Sequence, residues 1–180
     1  MIKHEELKAK IKETGFSCRM CGQCCSLISD NSNLVLVSAP EIRRIMDGTG
    51  LTWGEIAEPY PETLIGDKGE EYTFAWCLNR TEKKCRFLNE DSRCSIYGYR
   101  PQICRTYPFM LDESGLLTFE CPGTGDKVSE EAAGRIAEEL IERARFEREE
   151  LEKIEKIFSS AELKSDKMNI IDSEGVKTIG

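Results

Sequence analysis

The chain has 180 residues, 39% hydrophobic and 32% charged, which suits one domain with a modest core and argues against wholesale disorder. A net charge of −8 argues against a general nucleic-acid-binding surface, and no apolar run approaches the ~18 residues of a membrane span. The single histidine, His4, lies close to the N-terminus, so mixed Cys/His zinc sites and histidine-base catalysis are nearly excluded.

In chain order, residues 3–14 read as a short polar helix ended by Gly15. Residues 34–37, Leu-Val-Leu-Val, read as a strand. Ser38 is an N-cap and Pro40 sits in the first turn of a helix that buries Ile42, Ile45 and Met46 and stops at Gly48 and Gly50. Thr52 caps a second short helix through about Glu58, before Pro59 and Pro61. Residues 72–78, with Tyr72, Phe74 and Trp76 in alternation, predict one strand, and Leu116–Phe119 another after the turn at Glu113-Ser-Gly. Beyond Gly125 there are no cysteines, and 15 acidic residues face 10 basic ones over 126–180. From Ser129, apolar residues recur at Ala133, Ala137, Leu140, Ala144, Leu151, Ile154 and Phe158, with only Glu147 interrupting. This predicts an amphipathic helix of about 30 residues packed on its own domain, with a partner-binding arm as the other reading. The last fifteen residues read as a loosely held tail.

The N-terminus carries charge from the start and has no apolar signal-peptide core, so the expected compartment is the reducing cytoplasm, where thiols persist. Eight of the nine cysteines fall in two groups, Cys18 to Cys25 and Cys77 to Cys104. Such clustering suits metal capture better than disulfide stapling. A Cys-x2-Cys step turns two thiolates toward one ion, and its repetition places Cys18, Cys21 and Cys24 around one centre that needs a remote fourth ligand. Adjacent side chains diverge, so Cys25 points to a second centre nearby. The spacing then suggests two all-thiolate centres. One takes Cys18, Cys21 and Cys24 with a remote cysteine, Cys121 being the candidate; the other takes Cys25 with Cys85, Cys94 and Cys104. Cys77 reads as well as an inert buried thiol. Residues 77–109 hold seven basic and three acidic residues in an acidic chain. Arg86, Arg93, Arg100 and Arg105 are therefore placed to offset the charge of anionic sulfur. Tyr97, Tyr107, Pro108 and Phe109 would wall the site.

The ordered series Cys-x2-Cys-x2-Cys-Cys, Cys85-x-Phe-Leu, Cys94-Ser-Ile-Tyr, Arg100-Pro-x2-Cys104-Arg-x-Tyr-Pro-Phe and Cys121-Pro-Gly-x-Gly resembles the YkgJ-type CxxCxxCC family over roughly residues 16–125. That family is described as a zinc- or iron-chelating domain and is often labelled an Fe–S oxidoreductase. The resemblance implies that Cys18, Cys21, Cys24, Cys25, Cys85, Cys94, Cys104 and Cys121 are ligands. A similar module occurs in flagellin lysine N-methylases, which raises a methyl-transfer role.

Three functions stand side by side. The first is a protein with one or two all-cysteine iron–sulfur clusters, [4Fe–4S] in type, that transfers electrons or serves a redox enzyme. The second is a module stabilised by Zn²⁺ that binds other proteins; the third is a metal-dependent modifying enzyme. All-sulfur tetrahedral sites serve zinc and iron alike. The triple step followed by a doublet is closer to ferredoxin runs than to paired zinc knuckles. The expected partner is a redox or enzyme protein, docked through the C-terminal helix, with neither nucleic acid nor membrane. The expected fold is α+β. A small, largely irregular metal-stabilised domain with short strands and flanking helices spans 1–125, and a helical extension with its tail spans 126–180.

Overall fold

The computed structural model describes residues 3–26, 34–81 and 84–179. Its elements are α1 (His4–Thr14), β1 (Leu36–Val37), α2 (Ala39–Thr49), α3 (Trp53–Ile56), β2 (Ala57–Pro59), β3 (Leu64–Ile65), β4 (Glu71–Thr73), β5 (Trp76–Leu78), β6 (Arg80–Thr81) and β7 (Lys84–Cys85). They continue with α4 (Gln102–Thr106), β8 (Phe109–Asp112), β9 (Gly115–Thr118), α5 (Glu130–Ser160), β10 (Met168–Asp172) and β11 (Gly175–Ile179). The class is α+β. No helix among the described residues is long and apolar enough to cross a membrane.

Local chemistry explains the helix boundaries. The Glu41 carboxylate accepts from the Ser38 N–H at 3.0 Å and from its hydroxyl at 2.8 Å, which satisfies the start of α2. Gly50, at φ +74°, closes α2 by donating its N–H to the Met46 carbonyl. Thr52 and Glu55 repeat the arrangement at α3. That helix ends at Ile56 rather than near Glu58, because Ala57–Pro59 is drawn into antiparallel pairing with β5.

The chain forms two compact units, each assembled from separated segments. The first takes residues 1–33 and 87–146, and the second residues 34–86 and 147–180. The compositional break at 125/126 coincides with neither. The physical reason is the apolar seam of α5. Its Ala133, Ala137 and Leu140 pack with Leu7 and Ile11 of α1 and with Phe109 of β8 in the core of the first unit. Full burial of a Leu or Ile contributes roughly 1.5–3 kcal/mol, so this contact holds the first half of α5 firmly with the cysteine-bearing segments. Small alanines let the helices approach closely. Phe16 meets Phe109 edge-to-face at 5.7 Å beside them.

In the second unit, an antiparallel sheet of order β1-β5-β2 carries Trp76, Cys77 and Leu78 buried on its central strand. A second sheet has the order β11-β10-β4-β3, with β10 parallel to β4 and the other pairs antiparallel. Residues 72–78 thus form two strands in two sheets rather than one. Tyr72 and Phe74 pack on Phe158 at 5.3 and 4.9 Å, whereas Trp76 turns to Trp53 at 5.2 Å and donates its indole N–H to Asp172 at 2.8 Å. The expectation of a loose tail is overturned. Residues 168–179 form a hairpin whose Asn169, Ile170 and Ile171 are fully buried. The later part of α5 also departs from its predicted seam. Leu151 is exposed and Glu150 turns inward to Lys153 and Ser173, whereas Phe158 keeps its place in the seam against Tyr72 and Phe74.

Candidate metal centre

The Cys-x2-Cys-x2-Cys-Cys run leaves α1 as a loop strapped to the segment around Cys121. Phe16 bridges Thr124, the Ser17 N–H donates to the Gly123 carbonyl at 3.0 Å, and the Gly125 N–H donates to the Gly15 carbonyl at 3.0 Å. Both glycines are required for this approach. A Cβ on Gly123 would stand 2.1 Å from the Ser17 carbonyl oxygen, and one on Gly15, at φ +68°, would stand 2.5 Å from the Asp126 carbonyl oxygen. Arg19, between Cys18 and Cys21, adds a bidentate bond to Asp126 at 3.0 and 2.8 Å. The loop of Cys18, Cys21 and Cys24 and the Cys121-Pro-Gly turn, about a hundred residues apart in sequence, are thereby packed against each other in the first unit.

Gly22 turns the loop at φ +72° into a single 3₁₀ turn, Gln23–Cys25. A Cβ on Gly22 would stand 3.0 Å from the Leu88 side chain and 3.1 Å from Ser92, so this turn lies against the 88–92 segment. Leu88 pairs with Cys94 across that segment, which brings Cys94 to the same region. Cys104 sits on α4. That helix is tied to α5 by Arg105–Glu139 at 2.7 Å and by the buried Arg143 guanidinium, which donates to the Thr106 hydroxyl at 3.0 Å.

The sulfurs share an electrostatic environment. Cys24 and Cys25 stand 3.8 Å apart, Sγ to Sγ. This corrects the expectation that the adjacent side chains point apart. Both residues lie in the single tight turn Gln23–Cys25, which leaves their thiols in contact. The contact with Cys25 holds the Cys24 thiol down to about 7, with a smaller contribution from the Arg100 charge. Cys94 is pushed up by burial, opposed by Arg100 and raised further by the charge of Cys24. Tyr107 is pushed up by burial first and then by the charges of Cys121, Cys24, Glu120 and Cys21. Its hydroxyl donates to the Glu120 carbonyl, and its ring stacks on Phe119 at 6.4 Å. Tyr107 therefore does stand beside the cysteines, whereas Phe109 is spent in the α1–α5 core.

The expected arginines have other partners. Arg86 donates to the Glu55 carbonyl, Arg93 lies 3.9 Å from Asp91, and Arg105 pairs with Glu139. Arg100 donates to the Tyr97 carbonyl and covers that ring at 3.4 Å, and its charge also acts on Cys24 and Cys94.

Two cysteines lie in the second unit. Cys85 is buried on β7, opposite Arg80. Cys77 is fully buried on β5, contacts the Glu58 carbonyl at 3.6 Å, and is pushed up to about 11 by burial. Cys77 therefore has the environment of an inert structural thiol. Sequence reasoning did not single out Arg19, Asp126 or Thr124. The one signal for them was the Cys-Pro-Gly-x-Gly spacing, which asks for a tight backbone approach.

The donor chemistry fits a thiophilic metal. Cys18, Cys21 and Cys24 are exposed, and Cys25, Cys94, Cys104 and Cys121 are half-buried. The Thr124 hydroxyl oxygen, three residues past Cys121, is buried with no hydrogen-bond partner among the described residues. Such a group suits a bound sulfur or a water. No group of three or more His, Cys, Asp or Glu side chains among the described residues is arranged to hold a metal ion. A cavity of about 860 Å³ opens beside Cys121, lined by Gln23, Ser26, Phe119, Glu120, Pro122 and Thr124 among others.

No solved structure matches the chain. A curated relative, the uncharacterized protein MJ0661 of Methanocaldococcus jannaschii, is 26% identical over 122 residues. That match covers 66% of this chain and 59% of the relative, so the chain spans less than two thirds of the relative's length. The family model described as "CxxCxxCC: Putative zinc- or iron-chelating domain" matches residues 17–131, from the residue before Cys18 into the first turn of α5. The chain belongs to this CxxCxxCC family of zinc- or iron-chelating domains.

Proposed function

We propose that the chain is a metal-binding protein whose cysteines hold one or two all-thiolate iron–sulfur clusters of the [4Fe–4S] type, and that it acts in electron transfer or as a redox accessory subunit in the cytoplasm. The observation that carries this reading is the strapping of the Cys18–Cys24 loop to the Cys121 turn through Gly15 and Gly123. It supports Cys121 as the remote fourth thiol that a Cys-x2-Cys-x2-Cys run would need. Cys18, Cys21, Cys24 and Cys121 would hold one centre, and Cys25, Cys94 and Cys104, all of the same unit, are ligands proposed for the other. A bound cluster supplies one-electron chemistry. Tyr107, stacked on Phe119, and Arg100, whose charge acts on Cys24, would set access and charge there. A redox or enzyme protein is the proposed partner, with the C-terminal helix and its exposed Leu151 as its contact.

One observation favours a second reading, a zinc-stabilised module. The 3.8 Å between the Cys24 and Cys25 sulfurs equals the edge of a tetrahedron with metal–sulfur bonds of about 2.3 Å, so the pair suits one mononuclear ion. Anaerobic purification with iron, zinc and acid-labile sulfide analysis decides between them. A brown protein with iron and sulfide upholds the cluster. A colourless protein with stoichiometric zinc replaces it with the second reading, and a metal-free protein after anaerobic reconstitution overturns both.

A further inference from the structure

The bidentate bond between Arg19 and Asp126 spans 107 residues of sequence and joins the two loops on which the proposed centre rests. Arg19 lies between Cys18 and Cys21, and Asp126 lies five residues past Cys121. The Asp126 backbone is also the surface against which Gly15 packs. The side chains are 55% and 35% exposed, so as an isolated surface pair they would add little to folding stability. Their placement has a different consequence. Arg19 follows Cys18 directly on one loop, and both carboxylate oxygens of Asp126 on the other loop hold its guanidinium, so it is a cation fixed between the two. Four thiolates on Zn²⁺ or on a [4Fe–4S]²⁺ core leave a net −2, and such a centre is easier to form beside a fixed positive charge.

We infer that Arg19 and Asp126 form a positioning clasp. Asp126 fixes the Arg19 guanidinium between the Cys18–Cys24 loop and the segment after Cys121, where it holds the loops together and offsets the charge of the bound centre. The inference rests on the metal-binding reading proposed above. It separates two roles: Asp126 orients, and Arg19 carries the charge. Neutralising Arg19 removes both roles; neutralising Asp126 removes the first and leaves the cation.

The test uses the full-length, anaerobically loaded protein and the variants Arg19→Gln, Arg19→Lys, Asp126→Asn and the Arg19→Gln/Asp126→Asn double. Metal release into excess chromophoric chelator is expected to run about tenfold faster in Arg19→Gln and in Asp126→Asn. The double variant should be no faster than the worse single, because the two residues act as a unit. Thermal unfolding should be nearly unchanged throughout. The second readout is the midpoint potential for an iron–sulfur centre, or the dissociation constant for zinc. Arg19→Gln should lower the potential or weaken zinc binding, Arg19→Lys should restore part of either loss, and Asp126→Asn should not lower the potential. Variants that release metal at the wild-type rate from a normally loaded protein overturn the clasp and leave the metal-binding reading intact. A wild-type protein that loads no metal overturns that reading and the clasp with it.

Discussion

Gly123 and Ser17 meet backbone to backbone. The Gly123 carbonyl accepts the Ser17 N–H at 3.0 Å, and any Cβ at position 123 would stand 2.1 Å from the Ser17 carbonyl oxygen. Only a residue without a side chain permits the contact that brings the Cys121 turn to the cysteine run.

Gly123→Ala is therefore expected to push the two segments apart. The cost is roughly 1–3 kcal/mol of stability, since a backbone neighbour cannot swing away as a flexible side chain can. The same variant should lose metal faster than wild type. Chemical denaturation and chelator competition check both effects. A variant with wild-type stability and retention would show that the contact does not hold the loops.

Cys77 should behave unlike the other cysteines. At pH 8 a thiol pushed up to about 11 is almost wholly protonated, and this one is also fully buried. In the metal-free protein, iodoacetamide should modify the exposed Cys18, Cys21 and Cys24 while sparing Cys77 until the chain unfolds. Cys77→Ala should cost on the order of 1 kcal/mol through lost packing and leave metal stoichiometry unchanged. Peptide mapping by mass spectrometry and metal analysis test the pair of claims.

Asn169 concentrates the stability of the C-terminal hairpin. Its amide nitrogen donates to the carbonyls of Glu71, Lys164 and Lys167 at 3.0, 2.8 and 2.9 Å, and its amide oxygen accepts the Lys164 N–H at 2.9 Å. Asn169→Ala strands these groups in a fully buried place and is expected to cost roughly 2–3 kcal/mol. Urea unfolding followed by tryptophan fluorescence measures it, because Trp76 is bonded to Asp172 on the same strand.

The pair Arg43–Glu174 makes a pH-dependent contribution. Arg43 bonds Glu174 at 2.6 Å through both carboxylate oxygens and holds its carboxyl below the ordinary 4.5, with lesser help from Lys177. A depressed folded value means that the stabilisation is complete above about pH 4.5 and is lost as pH falls through the lower folded value. Wild type should accordingly exceed Glu174→Gln in stability at neutral pH, and the gap should close in acid. A difference that stays constant from pH 7 to pH 3 would assign the effect to packing instead.

The local elements were legible because their causes are local. Ser38 and Glu41, or Thr52 and Glu55, are three residues apart, and the capping chemistry they predict is the chemistry observed. The seam of α5 was legible over Ala133, Ala137 and Leu140, where helical periodicity meets an apolar partner. It failed at Leu151 because burial there depends on what the helix packs against.

By itself the sequence determined the cysteine cluster, the family and the type of most elements, since these depend on residue identity at short spacing. Only the tertiary structure decided that β10 pairs with β4, nearly a hundred residues earlier, and that Cys77 is sealed inside a sheet. It also decided that Gly15, Gly123, Arg19 and Asp126 join the cysteine loops. Those relations arise from burial and backbone pairing between distant segments, a choice made by the competition among all available partners once the chain is compact.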